Sequence, residues 1–154
     1  MLKSNIKHLI AAASLLALAG CAAPGPKFSG LQTIPQGDAE LIVYRKSALF
    51  ASGQPMPLLI DGNQVGELYN ASFLQHPLAP GKHLIKVSPG FLSQTAETTV
   101  TLAAGERKFL HLDFPTGPLA NVFFVGIALN ERDEKTALED LKELSSAKAA
   151  VIAK

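Results

Sequence analysis

The chain has 154 residues, 47% of them hydrophobic, with one cysteine, no tryptophan and a formal net charge of +1. A single cysteine excludes an internal disulfide framework and a cysteine-rich zinc site. The near-neutral balance lacks the basic excess that nucleic-acid binding needs, and the length suits one domain around one core.

The first segment, "MLKSNIKHLIAAASLLALAG", sets Lys3 and Lys7 ahead of an apolar run from Leu9 to Leu18 that only Ser14 interrupts. Small residues, Ala19 and Gly20, follow. Charged, then apolar, then small is the order of a secretory signal. The run is far shorter than the roughly 20 residues a membrane-crossing helix needs. Without residues 1–20 the chain loses two lysines and no acid, so its formal charge changes from +1 to −1.

Leu18-Ala19-Gly20-Cys21 resembles the lipobox of bacterial lipoproteins. The resemblance implies that a signal peptidase recognises Leu18, Ala19 and Gly20 and cuts before Cys21. Cys21 then carries S-diacylglycerol and N-acyl groups, and its membrane partner is reached through those chains. Two or more chains attach a protein stably where one is marginal, at about 0.8 kcal/mol per buried CH₂. Ala22, where an Asp would favour retention in the inner membrane, implies the periplasmic face of the outer membrane.

Residues 21–38 hold three prolines and three glycines without periodicity. They read as a flexible tether, with docking of Phe28 and Leu31 as the alternative. A β domain is expected over 39–130. "ELIVYRK" is β-branched and aromatic. In "PLLIDGNQVGELY", Asp61-Gly62 between apolar runs signals a hairpin. "SFLQHPLAPGKHLIKVSPG" repeats strand, Pro80-Gly81 turn, strand. "TAETTVTL" and "ERKFLHLDF" alternate with period two. "NVFFVGIAL" is apolar on both faces, as a central strand would be. Over 131–154 the period becomes helical, with Leu138, Leu141 and Leu144 on one stripe with Ala137 and Val151, and Asn130 or Asp133 as the cap.

About seven or eight short strands predict a mainly β fold, a small antiparallel β-sandwich of immunoglobulin or transthyretin type with one C-terminal helix. "IDGNQVGEL" and "LAPGKHLIKVSPG" resemble a PEGA-type module. Residues from about 39 to 135 are similar to the bacterial family catalogued as domain of unknown function 2846. The resemblance rests on Tyr44-Arg45, Asp61-Gly62, Gly66-Glu67-Leu68, Phe73 and Pro80-Gly81-Lys82-His83. It implies the sandwich and agrees with a lipoprotein, and it carries no activity.

No nucleophile elbow, zincin motif or phosphate loop occurs, so no catalytic residue, metal or cofactor is expected. His76, His83 and His111 sit singly on separate strands. His83 is expected to close the Pro-Gly turn and His111 to face solvent. Arg45 ends an apolar strand, where a buried cation needs a partner. It either pairs with Asp61 or Glu67, faces water, or grips a ligand in a pocket. Tyr69 and Phe73 are expected in the core. The expected role is a non-enzymatic interaction or assembly module, its partner an envelope protein or peptidoglycan and not nucleic acid. The alternative is a small-ligand or glycan-binding domain with a pocket near Arg45.

Overall fold

A computed structural model describes residues 23–49, 51–89, 95–114 and 126–150. Among the described residues the protein is mainly β: two five-stranded sheets face each other, and one helix lies on the outer face of the first. Chain order is β1 (Ala39–Arg45), β2 (Met56–Ile60), β3 (Asn63–Leu68), β4 (Ser72–Leu78), β5 (Gly81–Val87), β6 (Ala96–Leu102), β7 (Arg107–Asp113), β8 (Ala128–Arg132), α1 (Glu134–Leu141), β9 (Ser145–Ser146) and β10 (Lys148–Ala149). The first sheet runs β8-β7-β1-β4-β9 and the second β10-β3-β2-β5-β6. Pairing is antiparallel except for β1 with β7 and β4 with β9.

β1 is the central strand, buried along its whole length. Ala39, Leu41 and Val43 point between the sheets, where Leu58, Ile85, Val100 and Leu112 meet them. Ile42 and Tyr44 point outward and pack with Phe109, Ala137, Leu141 and Leu144 beneath the helix. A strand clothed on both faces needs apolar residues at consecutive positions, which "LIVY" supplies. The expectation that "NVFFVGIAL" is central does not hold for the part described. Ala128 and Leu129 open β8, an edge strand shifted into "NER", and residues 121–125 lie outside the described residues.

Asp61 and Gly62 join β2 to β3 with φ of 50° and 84°, the two positive angles of a type I′ hairpin turn. Pro80-Gly81 does something else. It carries the chain from β4 in the first sheet to β5 in the second, so this turn links the layers and closes no hairpin.

The C-terminal half departs furthest from the sequence reading. The helix spans Glu134–Leu141, started by Asp133, whose carboxylate accepts the Thr136 N–H at 3.0 Å. Glu143 and Leu144 then close tight turns back to Asp140 and Leu141. Leu144 reaches the same apolar cluster from outside the helix, and Val151 lies outside the described residues. The reason the helix stops is pairing: β9 joins β4 in one sheet and β10 joins β3 in the other, three residues apart. Gly66 admits β10, since a Cβ there would stand 2.8 Å from the Lys148 carbonyl oxygen.

The expected tether is also docked over much of its length. Gly25 N–H donates to Ser146 O at 3.0 Å, Ser146 N–H to Pro26 O at 2.8 Å, and Phe28 N–H to Leu144 O at 3.0 Å. Phe28 meets Phe73 edge to face at 5.4 Å, and Leu31 packs on the same cluster. Two apolar side chains and an edge strand offering free backbone groups outweigh the flexibility that Pro and Gly suggest.

Candidate functional site

Arg45 ends β1 facing between the sheets and is fully buried. It does not pair with Asp61 or Glu67, nor does it face water. Its two terminal nitrogens donate to the carbonyls of Gln54 at 2.9 Å and Ala51 at 2.6 Å, pinning the loop that leads into β2. Its guanidinium carbon sits 5.0 Å from the centre of the Phe114 ring, a cation–π distance. Burial pushes its pKa down to about 10, so it stays charged at neutral pH. These contacts use Arg45 to hold backbone, and the groove described below is not lined by it.

The buried ion pair lies elsewhere, on Glu40. Glu40 is 2% exposed on the outer face of β1. It accepts from Gln75 of β4 at 2.8 Å and from Nε of Arg107 of β7. Arg107 also donates to Gln32 O at 2.6 Å, tying down the N-terminal segment. Sequence reading missed this pair because Glu40 opens an apolar strand and its two partners come from β4 and β7.

A polar cluster fastens α1 to the first sheet. Tyr44 Oη donates to Asp140 at 3.0 Å, and Lys46 Nζ meets the other Asp140 oxygen at 2.5 Å. Burial, then the Asp140 bond, raises the Tyr44 pKa, so the phenol remains a neutral donor. His111, expected in solvent, is instead mostly buried and stacks on Tyr44 at 4.9 Å. Its Nδ1 lies 2.7 Å from Asp113 but out of line for a hydrogen bond, and burial lowers its pKa. Asn130 and Arg132 of β8 satisfy the Asp113 carboxylate.

At the opposite end of β1 from Arg45, the turn residues converge. His83 Nδ1 lies 2.7 Å from Asp61 Oδ2 and its Nε2 lies 2.8 Å from Ala79 O, while Asp61 Oδ1 accepts Leu84 N–H at 2.8 Å. Two acceptors facing both ring nitrogens suit the doubly protonated ring. The Asp61 bond accordingly raises the His83 pKa, and the His83 bond lowers that of Asp61. His83 thus closes the Pro80-Gly81 turn as expected, and Asp61 serves both the hairpin and this clamp. Gly62 completes the hairpin and Gly66 admits β10; Lys82 is exposed.

Beside the clamp is an open groove of about 450 Å³, lined by Ile60, Asp61, Asn63, Val65, His76 and His83 among others. His76 follows Leu74 with period two and so points between the sheets; burial lowers its pKa. That alternation, "FLQHPL", was present in the sequence. What the sequence did not reveal was that His76 and His83, on strands of different sheets, line one groove. Tyr69 packs on the inter-sheet core with its hydroxyl on Glu67 at 3.1 Å, and Phe73 is buried under the helix.

A pH dependence follows from the clamp. A raised His83 pKa contributes stability that is complete below about 6.5, the unfolded value, and is lost as pH rises through the folded value. The lowered Asp61 pKa contributes stability above about 3.9, lost as pH falls through its folded value. His76 and His111, both lowered, act in the opposite direction to His83. The difference between wild type and Asp61→Asn therefore isolates the clamp. The variant is expected to lose most melting temperature near pH 5 and least above pH 8, and a constant difference across that range rules the clamp out.

Compared with known proteins, the chain matches no family model and no curated protein.

Proposed function

We propose that the protein is a lipoprotein of the bacterial envelope, held by acyl chains on Cys21 at the periplasmic face of the outer membrane. Its sandwich would act as a non-enzymatic interaction or assembly module for an envelope protein or peptidoglycan. Leu18-Ala19-Gly20-Cys21 after a charged and an apolar segment carries the anchoring. Two features support the interaction role. The charged groups described above are engaged in holding loops, strands and the helix, and β6 and β8 end the two sheets on one flank. Among the described residues neither edge has a further strand partner, and an edge of this kind accepts an added strand.

Cys21→Ala tests the anchor. The variant precursor is expected to remain uncleaved and unacylated, read as the intact mass of the purified chain. A Cys21→Ala chain that is cut at the same bond and still partitions with membranes defeats the proposal. The groove favours a second reading, a glycan or other small polar ligand held by His76, Asn63 and Gln64. Titrating soluble peptidoglycan fragments against labelled protein separates the two: shifts confined to the groove residues favour ligand binding.

A further inference from the structure

We infer that the anchored domain lies with one particular flank against the bilayer: the side built from residues 25–28, β9 and β10 faces the lipid headgroups, and the β6/β8 side faces away. The inference rests on acylation of Cys21 and adds to it an orientation.

The geometry is set by where the chain becomes fixed. Gly25 is already hydrogen-bonded to Ser146, and Lys27 bridges Ser145 in antiparallel pairing. Residues 25–28 thereby run along the outer side of β9, held by these backbone bonds and one isolated bridge. Four residue steps separate Cys21 from Gly25, and a fully extended chain covers at most about 14 Å in that distance. A tether free from Cys21 to Asp38 would reach roughly 60 Å and would allow any orientation. From β9 to β8 there are four strand spacings, about 19 Å at roughly 4.8 Å each. With the β6/β8 flank on the bilayer, Gly25 would stand at least about 19 Å above it, farther than the leash of about 14 Å can span.

The same flank has suitable chemistry. Lys142 and Lys148 are exposed, and Lys27 is exposed with its ammonium on the Glu143 carbonyl at 2.8 Å. Ammonium groups of this kind suit phospholipid phosphates. Gly25 makes the leash short, since a Cβ there would fall 2.6 Å from Ser146 O.

The test places a photo-cross-linking residue at Lys148 or at Thr101 of β6 in the full precursor, expressed in a Gram-negative host. Phospholipid adducts and the N-terminal mass are read from the same purified chain. Position 148 is expected to give at least fivefold more lipid adduct than position 101. Gly25→Val, checked for an unchanged melting profile, should bring that ratio toward one. Acylated protein labelled equally at both positions overturns the orientation alone; an unacylated Cys21 overturns the lipoprotein reading instead. In a second arm the chain from residue 21 is coupled through its single thiol to a maleimide lipid in phosphatidylethanolamine/phosphatidylglycerol vesicles. The same excess at 148 is expected there, and equal labelling overturns the orientation whatever the natural modification.

Discussion

Arg107→Met is expected to cost about 3–5 kcal/mol of folding stability, a fall of roughly 10–20 °C in melting temperature for a domain of this size. Glu40 is 2% exposed on the central strand, and Arg107 is its charged partner across the β1–β7 pairing. Removing the guanidinium leaves a carboxylate in a dry site with only Gln75 to answer it. Removing both charges is a different change, because the desolvation cost of Glu40 disappears with the charge. Glu40→Met combined with Arg107→Met should therefore recover most of the loss. Urea denaturation of the two singles and the double gives the coupling directly. A cost below about 1 kcal/mol for Arg107→Met would show that the pair behaves as an exposed one.

Arg45→Met should cost about 2–4 kcal/mol. The methionine fills much of the volume, so the loss comes from the carbonyls of Ala51 and Gln54, which forfeit both donors. Ala51 has φ of 53°, a conformation that a non-glycine residue holds only when its surroundings enforce it. Arg45→Lys keeps the charge but supplies a single point donor in place of a planar fork, so it should regain less than half. Limited proteolysis between residues 46 and 55 reads the local effect, and denaturation reads the global one. A methionine variant as stable as wild type, with that loop still protected, would mean the carbonyls find other partners.

Much of the layer structure was legible because it depends on local rules. Period-two alternation located β5, β6 and β7, and Asp61-Gly62 announced its turn through two residues able to take positive φ. The sequence was least informative where the outcome depends on what lies across space. "LKELSSAK" has helical periodicity, yet two unpaired sheet edges stood close enough to take Ser145–Ser146 and Lys148–Ala149 as strands. Arg45 and Glu40 both open questions about buried charge, and their answers came from carbonyls in a loop and from Arg107, 67 positions away. His83 was legible because its partners, Asp61 and Ala79, belong to turns that the sequence already marked. His111 was misplaced because period two gave its face correctly, while the helix that covers that face comes later in the chain.

The docking of residues 25–28 on 144–146 has a kinetic consequence. Lys27 and Glu143 are 116 positions apart, and the parallel pairing of β1 with β7 also waits for residues far downstream. Contacts of such long range are slow to form, because the chain loses loop entropy before any contact energy returns. Residues 25–28 thus find their place only when residues 144–146 have arrived. Until then the outer face of the central strand, with Ile42 and Tyr44 on it, lacks the cover that Ala137, Leu141 and Leu144 supply. A chain with this arrangement is vulnerable to aggregation until residues 134–146 are available, and gains from being kept extended until then.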